Sequence, residues 1–156
     1  MKSLLQILVA LTIISAPAAA SAAQSQVVMA GEVKLEKTVI ENGKSRIVLV
    51  EPAVVVPDDR LLFVTRYSNG GSAPVQNFVV TNPLPSAVSL IYNEAEGYVV
   101  SVDGGKTWGR LGALIVPDGK GGTRSASASD VTHLRWTIQT IAPGSSGMVQ
   151  YHAAVR

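Results

Sequence analysis

The residues of this chain that could carry catalytic or metal chemistry are few and poorly spaced. The 156 residues include no cysteine and two histidines, His133 and His152. Neither histidine lies in an H-x-x-x-H or H-E-x-x-H pattern, and we expect both at the surface, on the polar faces of strands. No serine stands in G-x-S-x-G, and residues 119–122 lack the spacing and the following helix of a phosphate-binding loop. We therefore predict no catalytic residue, no metal ligand and no cofactor.

Aspartates at predicted turns leave a calcium site open. The candidates are Asp58 with Asp59, and Asp118 with Asp130. None belongs to the D-x-D-x-D-G loop that is typical of calcium sites. Aspartates at turns commonly accept hydrogen bonds from nearby backbone amides. We therefore interpret these four side chains as turn caps.

The sharpest local motif is Ser101–Trp108, which reads S-V-D-G-G-K-T-W. Asp103 can accept hydrogen bonds from the turn amides, Gly105 can adopt a positive φ, and Trp108 can pack back over the turn. The pattern resembles the Asp-box hairpin, S-x-D-x-G-x-T-W, of sialidase propellers and other secreted proteins. Such boxes lie away from the sialidase catalytic centre, and a propeller needs several four-stranded blades. We interpret the motif as a structural turn formed by Ser101, Asp103, Gly105, Thr107 and Trp108.

Composition limits the classes of protein that this chain can belong to. Hydrophobic residues make up 47% of the chain and charged residues 15%, which is enough apolar material for a core. The net charge of +2 is small and its basic residues are scattered, so the electrostatic footprint of a nucleic-acid-binding protein is missing. The length suits one domain.

The first 22 residues have the order of a secretory signal peptide. Lys2 is followed by an apolar run from Leu4 to Ile14, then by Pro17 and small residues up to Ala22. The apolar run is shorter than the roughly 20 residues that a membrane-spanning helix needs. We expect cleavage after Ala22, no integral membrane segment in the mature protein, and export to the periplasm or the extracellular space.

The rest of the chain has the pattern of an all-β protein. Short β-branched runs alternate with turn residues, and Asn42-Gly43 is a tight-hairpin signal. About eight or nine strands fit an antiparallel β-sandwich, with a closed barrel as the structural alternative. The strands are predicted over residues 32–40, 46–50, 60–68, 75–81, 88–92, 97–102, 107–111, 131–138 and 148–155. Residues 23–32 are predicted as an extended N-terminal segment, 33–156 as one sandwich domain, and 117–130 as a flexible loop within it.

Three segments in order resemble a bacterial family. They are residues 56–71, 73–85 and 134–145, whose most specific parts are Pro83-Leu84-Pro85 and Ala142-Pro143-Gly144. Together they are similar to the conserved repeat domain of unknown function known as domain of unknown function eleven. The resemblance implies an immunoglobulin-like β-sandwich of envelope and surface proteins, with no known catalysis. Asn82 stands where the family usually has aspartate.

Three functional hypotheses follow. The first is an exported, non-enzymatic structural or interaction module, such as a fibre or matrix subunit, that binds a protein partner or itself through open sheet edges. In that hypothesis, residues 24–33 could supply a strand to a neighbour. The second is a glycan- or small-ligand-binding sandwich that uses Trp108 and the adjacent loop. The third is a hydrolase, for which no set of residues argues.

Overall fold

The computed structural model describes residues 26–156, and β-strands form most of its regular structure. The predicted signal peptide, residues 1–22, lies outside the described residues. Ten strands follow one another along the chain: β1 (Val27–Glu41), β2 (Lys44–Val50), β3 (Arg60–Asn69), β4 (Val75–Pro83), β5 (Val88–Ile91), β6 (Val99–Ser101), β7 (Ile115–Pro117), β8 (Thr123–Ser125), β9 (His133–Ile141) and β10 (Ser146–Val155). Short 3-10 turns occupy Glu94–Glu96, Leu111–Ala113 and Ala128–Asp130.

Two antiparallel sheets face each other across the core. One has the strand order β2-β1-β3-β10-β5 and the other β4-β9-β6, while β7 and β8 form a separate two-stranded ladder. Buried side chains from both larger sheets belong to one apolar cluster, in which Trp136 of β9 lies 6.2 Å from Tyr151 of β10, measured between ring centroids. The all-β prediction is confirmed, and the arrangement is sandwich-like.

The alternation of apolar and polar residues along β9 and β10 sets which side chains enter the core. Leu134 and Trp136 are buried, and the neighbouring Arg135 lies on the opposite face of the strand. Tyr151 and Ala153 are buried in the same way on β10, and the ring of Tyr151 stacks on Phe63 of β3 at 4.7 Å. These inward sets agree with those predicted from the alternation.

Three details of the predicted elements change. Thr107–Leu111 is not a strand: Gly109 makes one isolated bridge to Val100, and a 3-10 turn follows. Residues 117–130 are not an irregular loop, because they contain the β7–β8 turn, β8 and a capped 3-10 turn. These short strands bring the count to ten, above the eight or nine predicted.

The first strand is longer than predicted and pairs with a different neighbouring strand in each half. Its residues 27–36 pair with β3, while its residues 35–41 pair with β2. The segment expected to precede the domain therefore contributes residues 27–32 to the largest sheet. Past Arg60, where β3 begins, the β1–β2 hairpin continues as a two-stranded arm. The arm is closed by Asn42 and Gly43, whose φ angles are 52° and 74°.

Candidate functional site

The Ser101–Trp108 hairpin is held together by the carboxylate of Asp103. Its Oδ1 accepts hydrogen bonds from the hydroxyl of Ser101 at 2.7 Å and from the amides of Lys106 at 3.0 Å and Thr107 at 2.9 Å. Its Oδ2 accepts from the Thr107 hydroxyl at 2.7 Å. The buried Ser101 Oγ accepts in turn from the Gly105 amide at 2.9 Å. The structure thus joins the polar residues that the motif predicted.

These bonds decide the protonation state of Asp103. The amide and hydroxyl of Thr107, followed by the hydroxyl of Ser101, hold the pKa of the Asp103 carboxyl well below its usual range. A carboxylate that is ionised and saturated with turn donors is poorly suited to accept a proton from a substrate. Asp103 is therefore a structural anion of the turn.

The two remaining motif residues complete the turn. Gly105 has φ 89°, and its carbonyl accepts a hydrogen bond from Nε1 of Trp108 at 3.0 Å. A Cβ at residue 105 would lie 3.4 Å from the Trp108 ring, so the indole packs directly against the turn backbone. Trp108 is half-buried by this packing.

Residues before β9 attach the hairpin to the three-stranded sheet. The Thr132 amide donates to the Ser101 carbonyl at 2.8 Å, and the Thr132 hydroxyl accepts from the Gly104 amide at 3.1 Å. The ring of His133 bonds the same hydroxyl at 3.0 Å and meets the Trp108 ring edge-on at 6.3 Å. His133 is thus half-buried beneath the hairpin instead of lying free at the surface as predicted.

The outer face of this sheet carries one residue that the motif did not indicate. The guanidinium carbon of Arg135 lies 3.7 Å from the centre of the Trp108 ring, in cation–π geometry. The nitrogen Nε of Arg135 is buried, and no described residue bonds it. Arg135 and Trp108 are 27 residues apart in sequence. The sequence indicated this contact only through the position of Arg135 beside His133 on the polar face of β9.

A second polar cluster lies around His152, on the other large sheet. Its Nε2 is 3.0 Å from Oε1 of Glu36, and its Nδ1 is 2.8 Å from Oε1 of Glu96. Arg60 bonds the remaining Glu36 oxygen at 2.8 Å, whereas Oε2 of Glu96 is buried with no described partner. The prediction of a solvated His152 is corrected: the ring connects β10 to β1 and to the Glu94–Glu96 turn.

Three of the four turn aspartates considered for calcium are bonded to backbone or arginine groups, and Asp59 accepts a hydrogen bond from the Val56 amide at 2.9 Å. Asp118 accepts from the amides of Lys120 and Gly122 at 2.7 and 2.9 Å, which lowers the pKa of its carboxyl. Arg124 pairs with Asp130 at 2.7 Å and, with the Ser127 amide, holds the pKa of that carboxyl well below its usual range. Across residues 26–156, no group of three histidine, aspartate or glutamate side chains is placed to hold a metal ion.

Two asparagines belong to the segments that carry the family resemblance. Asn69 is 1% exposed and makes three side-chain hydrogen bonds, to the Ala73 and Ile141 carbonyls at 2.8 and 3.0 Å and from the Gly71 amide at 2.9 Å. Asn82 donates once, to the Thr65 hydroxyl at 2.8 Å. Both side chains form hydrogen bonds near the ends of strands, as asparagines at turns and strand ends commonly do.

The fold and the hairpin define an all-β, sandwich-like protein with a turn locked by side chains. Comparison with family models, curated proteins and solved structures finds no significant match to this chain. The resemblance to the conserved repeat domain therefore stays a prediction that rests on the three segments. In the described part of the chain, no helix has the length and apolar character needed to cross a membrane.

Proposed function

We propose that this protein is an exported, non-enzymatic interaction module of the bacterial envelope or extracellular space, with an immunoglobulin-like sandwich that associates with a second copy of itself. The signal-peptide pattern of residues 1–22 supports export. The use of Ser101 and Asp103 inside their own hairpin supports a structural role for the motif. The β1–β2 arm carries the proposal of self-association.

The arm leaves backbone groups available for a further strand. In the described residues, β2 is the outermost strand of the five-stranded sheet, so one side of Lys44–Val50 has no neighbour. Residues 27–34 of β1 pair only with β3, and their other side is open as well. An edge strand of this kind is a template for pairing with another chain.

One face of the arm carries three apolar side chains that are exposed to solvent. Ile40, Ile47 and Leu49 are 77%, 63% and 51% exposed. The pairing register places them on the same face, because Ile47 opposes Thr38 and Leu49 opposes Glu36, two and four positions before Ile40. Large apolar side chains grouped on an unpaired strand indicate a surface that becomes covered.

A second copy fits this edge by symmetry. Two β2 strands pairing antiparallel about Ile47 would match all seven residues of each strand. In that register Ile47 opposes Ile47, while Arg46 opposes Val48 and Lys44 opposes Val50. No like charges oppose each other, so the strand is complementary to itself.

Charge substitutions at the centre of this register test the proposal. Sedimentation velocity of residues 23–156 over a range of concentrations should show self-association, and Ile47→Lys should abolish it by placing two lysines opposite each other. Mixing Ile47→Lys with Ile47→Glu should restore a complex. The matched control is Ile115→Lys on β7, where the isoleucine is 68% exposed. A monomer at every concentration, or equal loss in both lysine variants, would contradict the proposal.

A cysteine variant tests the register itself. The chain has no cysteine, so Ile47→Cys introduces a single thiol. Directly opposed residues in antiparallel strands have Cα atoms about 4.5–5.5 Å apart, a distance that a disulfide can bridge. Ile47→Cys should therefore form covalent dimers under mild oxidation much faster than Ile115→Cys. Equal rates would exclude pairing centred at Ile47.

A further inference from the structure

The outer face of the three-stranded sheet carries an arginine that is fixed in position and has no anionic partner. We name the surrounding residues the Arg135 patch: Trp108, Arg135, and the exposed Thr81 and Thr137. Thr81 lies directly opposite Arg135 in the β4–β9 register, and Thr137 follows two positions later on the same face. The patch is separate from the β1–β2 arm, so it does not depend on self-association.

Arg135 differs from the arginines that form ion pairs in the described residues. Four arginines each pair with a carboxylate at 2.7–2.8 Å: Arg46, Arg60, Arg66 and Arg124. No carboxylate within residues 26–156 lies at ion-pair distance from Arg135, and no described acceptor bonds its guanidinium. Its Nε is buried without a described partner, and neither Nη1 nor Nη2 is among such buried atoms. The end of the side chain therefore presents two donors and an uncompensated charge.

The neighbouring groups hold this guanidinium without neutralising it. Trp108 covers one face of the guanidinium plane at 3.7 Å. The nearest acidic residue of the hairpin motif, Asp103, is committed to Ser101, Lys106 and Thr107. His133, which also contacts Trp108, is fastened to the Thr132 hydroxyl at 3.0 Å. A planar, weakly hydrated cation fixed by stacking is well suited to bidentate recognition of an oxyanion.

We propose that the Arg135 patch binds an oxyanion, a carboxylate or sulfate group, either as a free ion or as part of an acidic polysaccharide. Nη1 and Nη2 of Arg135 donate to two oxygens of the anion, and the Thr81 and Thr137 hydroxyls offer further hydrogen bonds beside it. Trp108 acts as a positioning residue, because Arg135 occupies one face of its ring. This assigns the hairpin a ligand chemistry different from the one expected of an exposed tryptophan.

Nuclear magnetic resonance can observe the site directly. The buried Nε–H of Arg135 and the indole N–H of Trp108 each give a resolved reporter signal in a proton–nitrogen spectrum of the ¹⁵N-labelled mature protein. Titration with sodium sulfate, with sodium acetate and with a sulfated or carboxylated oligosaccharide, in low-salt buffer, should move both signals saturably. A neutral oligosaccharide of the same length is the control ligand and should move neither.

Two variants distinguish the site from general charge attraction. Arg135→Gln should weaken binding by at least about tenfold, since the bidentate charged donors are lost. Lys120→Gln removes the same charge from the exposed β7–β8 turn and should leave the affinity unchanged. If amide dispersion shows that Arg135→Gln is unfolded, Arg135→Lys replaces it and should weaken binding about threefold or more.

The titrations with different ligands distinguish the two sources of the anion. Comparable affinity for sulfate and for the acidic oligosaccharide supports recognition of the free ion, and tighter binding of the oligosaccharide supports a polysaccharide ligand. The proposal is overturned if no probe gives saturable shifts at Arg135, or if Arg135→Gln binds as tightly as the unmodified protein. Neither result would bear on the self-association of the arm.

Discussion

The end of β3 depends on one buried asparagine, and replacing it is a sharp test of the fold. The side chain of Asn69 bonds three backbone groups from two separate connections, at Gly71, Ala73 and Ile141. The Asn69 backbone also donates to the Ser145 carbonyl at 2.9 Å and accepts from the Gly144 amide at 2.8 Å. One residue therefore joins the β3–β4 turn to the β9–β10 turn.

The cost of Asn69→Ala can be estimated from these contacts. Each lost hydrogen bond is worth about 1 kcal/mol net, and a buried backbone group that loses its partner costs roughly a further 1 kcal/mol. The Ile141 carbonyl belongs to a residue that is 2% exposed, so water replaces the lost donor poorly there. We expect a loss of about 3–4 kcal/mol from the free energy of unfolding. With a urea m-value of about 2 kcal/mol/M, the midpoint should fall by about 1.5–2 M.

Urea unfolding followed by tryptophan fluorescence measures this shift. Asn82→Ala is the matched control, because it removes one hydrogen bond, to Thr65, and should lower the midpoint by only about 0.5 M. Asn69→Asp keeps the acceptor for Gly71 but turns a carboxylate oxygen toward two carbonyl oxygens, so it should be at least as unstable as the alanine variant. Equal midpoints for the two alanine variants, or a stable Asn69→Asp protein, would refute this reasoning.

Three further changes test packing, pH dependence and the second polar cluster. Gly147→Ala should cost about 1–3 kcal/mol in thermal unfolding, because its Cβ would overlap the hydroxyl and ring of Tyr67. Gly31→Ala, with no atom within 4 Å of its Cβ, should cost nothing, and equal effects of the two changes would contradict this packing. Because the pKa of the Asp103 carboxyl is lowered in the folded protein, its ionised form stabilises the fold above the ordinary pKa of 3.8, and this contribution is lost as the pH falls. Asp103→Asn should therefore make stability less dependent on pH below about pH 4 in acid unfolding, and parallel curves for the two proteins would contradict this reasoning. His152→Ala leaves two nearly buried carboxylates without their shared partner, and urea unfolding should show a loss of about 2 kcal/mol; an unchanged midpoint would remove the cluster from the stabilising contacts.

Local chemistry made some of this structure predictable. Asn42-Gly43 predicted its hairpin because both residues tolerate positive φ, and the alternation along β9 predicted that Leu134 and Trp136 point inward. The Ser101–Trp108 motif predicted its own hydrogen bonds, since all the partners lie within eight residues. Contacts of that range are encoded by spacing alone.

Contacts between distant segments were not predictable in the same way. The ring of Trp108 could be placed over its turn, but its stacking on Arg135 depends on how the hairpin attaches to β9. Residues 117–130 lack an apolar period, yet Asp118 bonds two amides across a turn and Arg124 pairs with Asp130. Polar groups fold that segment, so a search for hydrophobic periodicity finds no strand there.

The first strand shows most clearly how the structure changes the functional argument. Residues 24–33 were expected to be available as a donated strand, but residues 27–33 already pair with β3 of their own chain. The same strand extends past the first residue of β3 and pairs there with β2. The unpaired edge of β2 and the exposed Ile47 therefore lie on the arm. Donation of the N-terminal strand would require breaking the pairing between β1 and β3, whereas addition at β2 breaks no pairing at all. Edge-to-edge pairing at β2 is therefore the less costly route to association.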